Sequence, residues 1–250
     1  VVLLRNSFSM LEEACNELKS SRLFMKLLEA VLKTGNRLNV GTIRGGAKAF
    51  KLDALLNLAD IKGTDGKTTL LHFVVQETIR SEGARVSESI VGKISQKSND
   101  AMEEKEEENK RMGLDLVAGL SLELHNVKKT ATVDLKLLTG SIINISEEIA
   151  KWKGMINDET IVKDRKNERF ETTMRTFLGY AEKALLELRE DERRVSVRIA
   201  EVSEFFHGNN GWKAEDPLRI FVIVRDFLGM LDHVCKTIRN SKSHHRMTLF

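Results

Sequence analysis

Apolar positions recur at helical spacing through most of the chain, and the pattern breaks in few places. Leu11, Cys15 and Leu18 form a first stripe behind Ser9-Met10-Leu11-Glu12, a capping-box signature that predicts a helix start at Ser9. A second helix restarts after Ser20 or Ser21 and runs through Met25, Leu28 and Leu32 until Gly35 stops it. Residues 35–72 are then irregular, with Gly35, Gly41, Gly45 and Gly46 ahead of Phe50 and a short helix on Leu52, Leu55, Leu56 and Leu58. Asp65-Gly66 is a turn signal, and Thr68 is placed to cap a helix through Leu71, Val74 and Ile79 to Gly83.

Beyond residue 84 the chain becomes long, charged and almost free of helix breakers. Residues 103–111 hold five glutamates and three bases, the pattern of a solvated helix face. Val117, Leu120, Leu124, Val127 and Ala131 alternate steps of three and four. After a one-residue phase slip, Leu135, Leu138, Ile142, Ile145, Ile149, Trp152 and Ile156 resume the pattern. Phe170, Met174, Phe177, Ala181, Ala184 and Leu188 make a third stripe, so an antiparallel helical bundle is expected. Asp216-Pro217 marks a helix start, and the helix after it carries two adjacent apolar seams. One runs through Phe221, Val224, Leu228, Leu231, Cys235 and Ile238, the other through Ile220, Ile223, Phe227, Met230 and Val234. Such a helix must be buried on two sides, and it is expected to fold back against the first helices.

Composition sharpens this to an all-α fold, an elongated helical bundle with long coiled-coil-like helices. Of 250 residues, 31% are charged and 41% hydrophobic, with one proline and one tyrosine, which argues against a turn-rich β fold. The expected division is 1–83 for the helices that bear the motifs, 84–206 for the long charged helices, 207–240 for the last helix, and 241–250 for a disordered basic tail. Cys15 and Cys235 fall on apolar stripes and read as two buried thiols of a reducing compartment rather than a disulfide. No apolar run is long enough to insert in a membrane, since residues 220–231 are broken by Arg225 and Asp226. No signal peptide is evident, and the opening Val-Val suggests a piece of a longer protein.

The formal charge of +3 does not by itself predict a nucleic-acid partner. The basic excess is local: Arg37, Arg44, Lys48, Lys51, Lys62 and Lys67 stand against Asp53, Asp60 and Asp65, and the tail adds Lys236, Arg239, Lys242 and Arg246 without an acid. Such a face steers an acidic partner without choosing its class. The six histidines form no metal-ligand spacing, and no P-loop, nucleophile elbow or dinucleotide fingerprint is present, so no enzyme, cofactor or metal is expected. Gly45-Gly46 lacks the strand and Gly-Lys-Ser/Thr of a phosphate loop. Lys62 has two readings from its position alone: it interacts with the carbonyls that end the leucine-rich helix, or it contacts a partner.

At Gly35 the spacing G-N-x-x-N-x-G, then G-x-A-x-x-F-x-L-x-x-L-x-x-L-x-x-x-K-x-x-D, then L-L-H-F, resembles the signature of the formin homology 2 domain. It uses Gly35, Asn36, Asn39, Gly41, Gly45, Ala47, Phe50, Leu52, Leu55, Leu58, Lys62, Asp65, Leu70, Leu71, His72 and Phe73 in unbroken register. Phe205-Phe206-His207-Gly208, Leu218-Arg219-Ile220-Phe221 and Val224-Arg225-Asp226-Phe227-Leu228 look like the C-terminal part of plant-type formins.

The resemblance implies an all-α actin-assembly module of the cytoplasmic cytoskeleton that forms head-to-tail ring dimers, nucleates filaments and stays on the growing barbed end. It implies that Gly35, Asn36, Asn39, Gly41, Gly45 and Phe50 dock a partner subunit's N-terminal lasso. It also implies that Lys62, with its basic neighbours Lys51, Lys48 and Arg44, faces actin. The family's lasso, linker and most of its knob would lie upstream of Val1, and Trp152 and Trp212 are in the wrong place to be lasso anchors. The expectation is therefore a post and one actin-binding surface that cannot close the ring alone, with membrane anchoring left to the full-length protein. The alternative is a non-nucleating helical scaffold that binds a partner helix, microtubules or an acidic membrane through its basic surface.

Overall fold

The computed structural model describes residues 1–91, 99–157, 168–207 and 216–247. Among them the architecture is all-α: α1 (Val2–Ser20), α2 (Arg22–Leu38), a 3-10 helix (Leu52–Ala59), α3 (Leu70–Val91), α4 (Asn99–Glu123), α5 (His125–Thr130), α6 (Leu135–Asn157), α7 (Glu168–His207) and α8 (Arg219–Met247). The one β-type pairing among the described residues is an isolated antiparallel bridge between Lys62 and Thr69.

The first helix starts earlier than the capping box suggests. Ser9 lies inside α1, because Leu4 and Phe8 continue the stripe of Leu11, Cys15 and Leu18 backwards at helical spacing and pack into the core. Ser21 separates α1 from α2, and its hydroxyl accepts from the Phe24 amide at 3.2 Å, so the second helix begins where the sequence placed it.

Two glycines read as helix ends turn out to lie inside helices. Gly35 sits in the last turn of α2, which continues to Leu38. Gly83 is passed by α3 and faces Gly113 of α4, where the two backbones cross in near contact. A Cβ on Gly83 would lie 1.9 Å from the Asn109 carbonyl oxygen, and one on Gly113 would lie 2.0 Å from that of Ile79. Glycine here serves helix-to-helix approach rather than termination.

Long helices meet in two orientations. Arg5 pairs with Glu187, Glu12 with Arg194 and Lys19 with Glu201, so each seven-residue step on α1 is matched by seven on α7 and the helices run parallel. On α6 and α7 the order reverses, with Thr139 bonded to Glu192, Ser146 to Arg189 and Asn157 to Arg175, which makes that pair antiparallel as expected. These exposed pairs add little energy each but fix the register.

Burial on α7 falls on Leu178, Leu185, Leu188, Val195, Ile199 and Val202, whereas Phe170 and Phe177 of the expected stripe are exposed. The face bearing them continues the one that receives α1, and the α1 ladder begins only at Glu187. The N-terminal half of α7 instead packs on α6 through the neighbouring Leu178 and Leu185 face. In α6 the seven-residue series Ile142, Ile149 and Ile156 is buried while Trp152 is largely exposed.

Both seams of α8 are buried or partly buried. Asp216 opens it, its carboxylate accepting from the Leu218 amide at 3.1 Å. The helix packs mainly on α3, α4, α5 and the 3-10 helix rather than on the first helices, which it meets through Phe24 against Phe227. It continues through Met247, past residue 240 where a disordered tail was expected, because the sequence after Gly229 contains no glycine or proline to end it. Residues 248–250 of that tail, like Gly208 and Trp212, lie outside the described residues.

Two carboxylates hold this arrangement together from inside. Glu17 of α1 caps α5, accepting from the amides of Asn126 at 3.0 Å and Val127 at 3.1 Å, which satisfies donors that a helix N-terminus leaves open. Glu82 of α3, 3% exposed, is held by Arg22 of α2 and by Arg85, and these guanidiniums pull its pKa from an ordinary 4.5 to about 2. Cys15 and Cys235 are both free and buried, and burial pushes their thiols up to about 12 and about 11.

Candidate functional site

The segment after α2 is irregular but not loose. Asn39 closes the helix, its amide and its side-chain Nδ2 both donating to the Gly35 carbonyl, at 3.1 and 2.8 Å. Asn36 then spans the excursion: its Nδ2 donates to the Ala47 carbonyl at 2.8 Å and its Oδ1 accepts from the Ala47 amide at 2.7 Å. One side chain thus replaces a pair of backbone bonds and pins both ends of the loop.

Inside the loop, Thr42 turns the chain by donating both its amide and its hydroxyl to the Asn39 carbonyl. Gly45 lies so close beneath this turn that a Cβ would come within 2.6 Å of the Asn39 carbonyl oxygen, and Gly41 takes a φ of +79°. Gly35 has neither constraint: a Cβ there meets nothing within 4 Å. Phe50 packs against the core and returns the loop to it, followed by the buried Leu52, Leu55 and Leu58 of the 3-10 helix. Asp53 on that helix is tied to Arg219 of α8 at 2.7 Å.

Lys62 does not interact with helix-ending carbonyls in the way its position suggested. The 3-10 helix stops at Ala59, and Lys62 sits in a miniature hairpin closed by the bonds from the Leu70 amide to the Ile61 carbonyl at 2.7 Å and from the Gly63 amide to the Thr68 carbonyl at 2.8 Å. Asp65 shapes its tip, accepting from the amides of Lys67 at 3.0 Å and Thr68 at 2.9 Å and from the Thr68 hydroxyl, and these bonds hold its carboxyl below the usual carboxylate range. Thr68 is therefore spent on the turn, and the α3 cap is Thr69, whose hydroxyl accepts from the His72 amide at 3.2 Å.

The structure gathers Asn36, Asn39, Gly41, Gly45 and Arg44 into one stapled loop. Lys48 and Lys51 lie on its return strand, and Lys62 lies beyond the 3-10 helix in the separate hairpin. Arg44, Lys48, Lys51 and Lys62 are all exposed, and none of their side chains has a hydrogen bond or ion pair among the described residues. The sequence reading passed over Val40 and Ile43, which stand on the same loop almost wholly in solvent. Their signal was available, as branched aliphatics among glycines with no helical partner at three or four residues. Among the described residues no three histidines, cysteines or carboxylates gather in a way that could hold a metal ion, and no helix is long and apolar enough to cross a membrane.

Known proteins resemble this chain along nearly its whole length. Residues 1–232 match the family described as Formin Homology 2 Domain. The chain is 64% identical to Formin-like protein 11 of Arabidopsis thaliana over 242 residues, covering 96% of this chain and 27% of that protein. It is 51% identical over 242 residues to Formin-like protein 2 of Oryza sativa subsp. indica, covering 97% of this chain and 26% of that protein. To Formin-like protein 9 of Oryza sativa subsp. japonica it is 48% identical over 249 residues, covering 100% of this chain and 28% of that protein. The chain thus spans about a quarter of the length of the curated relatives it matches. With the signature residues in register and the all-α architecture around them, the chain belongs to the Formin Homology 2 Domain family.

Proposed function

We propose that this chain is an actin-binding part of a formin, contributing to filament nucleation and barbed-end elongation in the cytoskeleton. Lys62 is the principal actin contact, supported by Lys51, Lys48 and Arg44, and the loop built on Gly35, Asn36, Asn39, Gly41, Gly45 and Phe50 docks a partner subunit's lasso. The observation that supports this reading is that Arg44, Lys48, Lys51 and Lys62 are all exposed and carry no side-chain hydrogen bond or ion pair among the described residues, in a chain of a family whose signature, as it is matched here, includes Lys62. Cations already spent on the protein's own carboxylates would have little attraction left for an acidic filament protein; these are uncommitted.

The supporting geometry also assigns a role to each asparagine. Asn36 and Asn39 use their amides on the loop itself, so they shape the docking surface rather than touch the lasso through those groups. Bulk actin polymerisation tests the reading, with this chain compared to a longer formin piece that includes a lasso. The expected result is actin binding by this chain without the rapid nucleation of the longer piece. Absence of actin binding by both would overturn it in favour of a helical scaffold.

A further inference from the structure

The loop between α2 and the 3-10 helix carries an apolar tip that the function proposed above leaves unused. Val40 is 77% and Ile43 102% exposed, and Leu38 at the end of α2 is exposed as well. Single exposed aliphatics are ordinary on a protein surface, whereas three within one short segment are not. A side chain with the exposure of Ile43 projects into solvent and lies in no groove of its own chain. The backbone beneath this tip is satisfied at home: the amides of Asn39, Thr42, Arg44, Gly45 and Ala47 all donate within residues 35–47. Donors paired in this way cost little to remove from water.

The charge beside the tip is one-sided. Residues 30–52 hold no aspartate or glutamate, against Lys33, Arg37, Arg44, Lys48 and Lys51. Lys33 is paired with Glu29, whereas Arg44, Lys48 and Lys51 are exposed and have no side-chain partner among the described residues. The acids that flank the segment are answered: Glu29 by Lys26 and Lys33 at 2.7 Å each, and Asp53 by Arg219 at 2.7 Å. On α3, Glu77 lines the same groove as Arg37 and pairs with Arg80 at 3.2 Å. The Lys62 hairpin is neutral by count, with Asp60 and Asp65 against Lys62 and Lys67, so it does not cancel the charge of the loop.

We propose that this loop docks on an anionic lipid surface, Val40 and Ile43 entering the headgroup region while Arg44, Lys48 and Lys51 meet lipid phosphates and carboxylates. Either contact alone is weak, and apolar insertion together with basic attraction gives stable interfacial binding. A folded acidic protein is the poorer fit, because it needs a recess shaped to Ile43, whereas a lipid interface takes a projecting side chain wherever it lands. The proposal goes beyond the actin role and does not rest on it. It uses the loop and the cations that the actin reading gives to the lasso and to actin, so lipid is expected to compete with both. Only Val40 and Ile43 belong to the lipid contact alone.

Co-sedimentation with phosphatidylcholine vesicles, with and without phosphatidylserine, tests the proposal. Binding is expected only with phosphatidylserine, and it is expected to fall as salt is raised. Ile43→Ser is expected to weaken it about fivefold or more and Lys48→Gln about fivefold. Melting temperatures should not change, because both side chains stand in solvent. In Ile43→Trp the added fluorescence is expected to be quenched by brominated lipid. Equal binding to both kinds of vesicle, binding to neither, an affinity unmoved by Ile43→Ser, or no added quenching in Ile43→Trp would overturn the proposal. A glutamate-rich peptide is the control for an acidic protein: if it binds through Ile43 while the vesicles do not, the lipid docking fails. Monomeric actin separates this proposal from the function above, with Ile43→Ser expected to weaken vesicle binding alone. If actin does not bind while the vesicle results hold, the actin reading fails and the lipid docking stands. If actin binds and the vesicles do not, the lipid docking fails and the actin reading stands.

Discussion

The α2–α3 interface and the hairpin at Lys62 are both rich in charge, and they use it in opposite ways. At the interface Glu82 is buried and saturated, with Arg22 on one side and Arg85 on the other, so these three charges are answered within the fold. At the hairpin the acid is consumed by backbone amides and a hydroxyl, which leaves Lys62 and Lys67 unanswered. The contrast shows which charges hold the molecule together and which are left for something else. Counting lysines and arginines along the sequence cannot make that distinction.

The largest effect is expected at the saturated cluster. Glu82→Ala removes both ion pairs of a buried carboxylate while leaving Arg22 and Arg85 half-exposed to water, and should cost about 2–3 kcal/mol in urea unfolding. The pH dependence has a definite sign. Because the folded-state pKa is pulled from 4.5 to about 2, the stabilisation is full above about pH 4.5 and is lost as pH falls toward 2. Its size is about 3 kcal/mol. Glu82→Gln should therefore flatten the acid limb of a melting-temperature profile between those values; an unchanged limb would mean that the cluster does not stabilise the fold.

An intermediate effect is expected at the loop staple. Asn36→Ala removes two hydrogen bonds to Ala47 and should cost about 1–2 kcal/mol, together with faster amide exchange at Ala47. Unchanged exchange there would show that the loop keeps its shape without the staple. The smallest stability effect is expected at the hairpin, where Lys62→Ala and Lys67→Ala should each leave the melting free energy within about 0.5 kcal/mol. A larger loss would mean that these lysines belong with the saturated charges after all.

Much of the fold was legible in the sequence because apolar spacing decides it directly. Both seams of α8, the Asp216 start, the seam from Val117 to Val127 and the solvated glutamate face all appear where periodicity placed them. The misreadings share a cause, since they were local signals overruled by distant partners. Ser9 looked like a cap, but Leu4 and Phe8 found the core. Gly35 and Gly83 looked like helix ends, but one is followed by an asparagine that closes the helix four residues later, and the other is where α4 crosses. Phe170 and Phe177 lie on a face that α1 does not reach among the described residues. Within the candidate site the residue types were readable, whereas the Asn36 staple, the cap at Thr69 and the exposure of Ile43 depend on three-dimensional pairing.

The claim that the unanswered cations face a partner is tested most directly by equilibrium binding to actin, with the unaltered chain and Lys62→Ala side by side at matched salt and with melting temperatures recorded for both. The expected result is an affinity at least about fivefold weaker for Lys62→Ala, with an unchanged melting temperature. Equal affinities for the two proteins would contradict it.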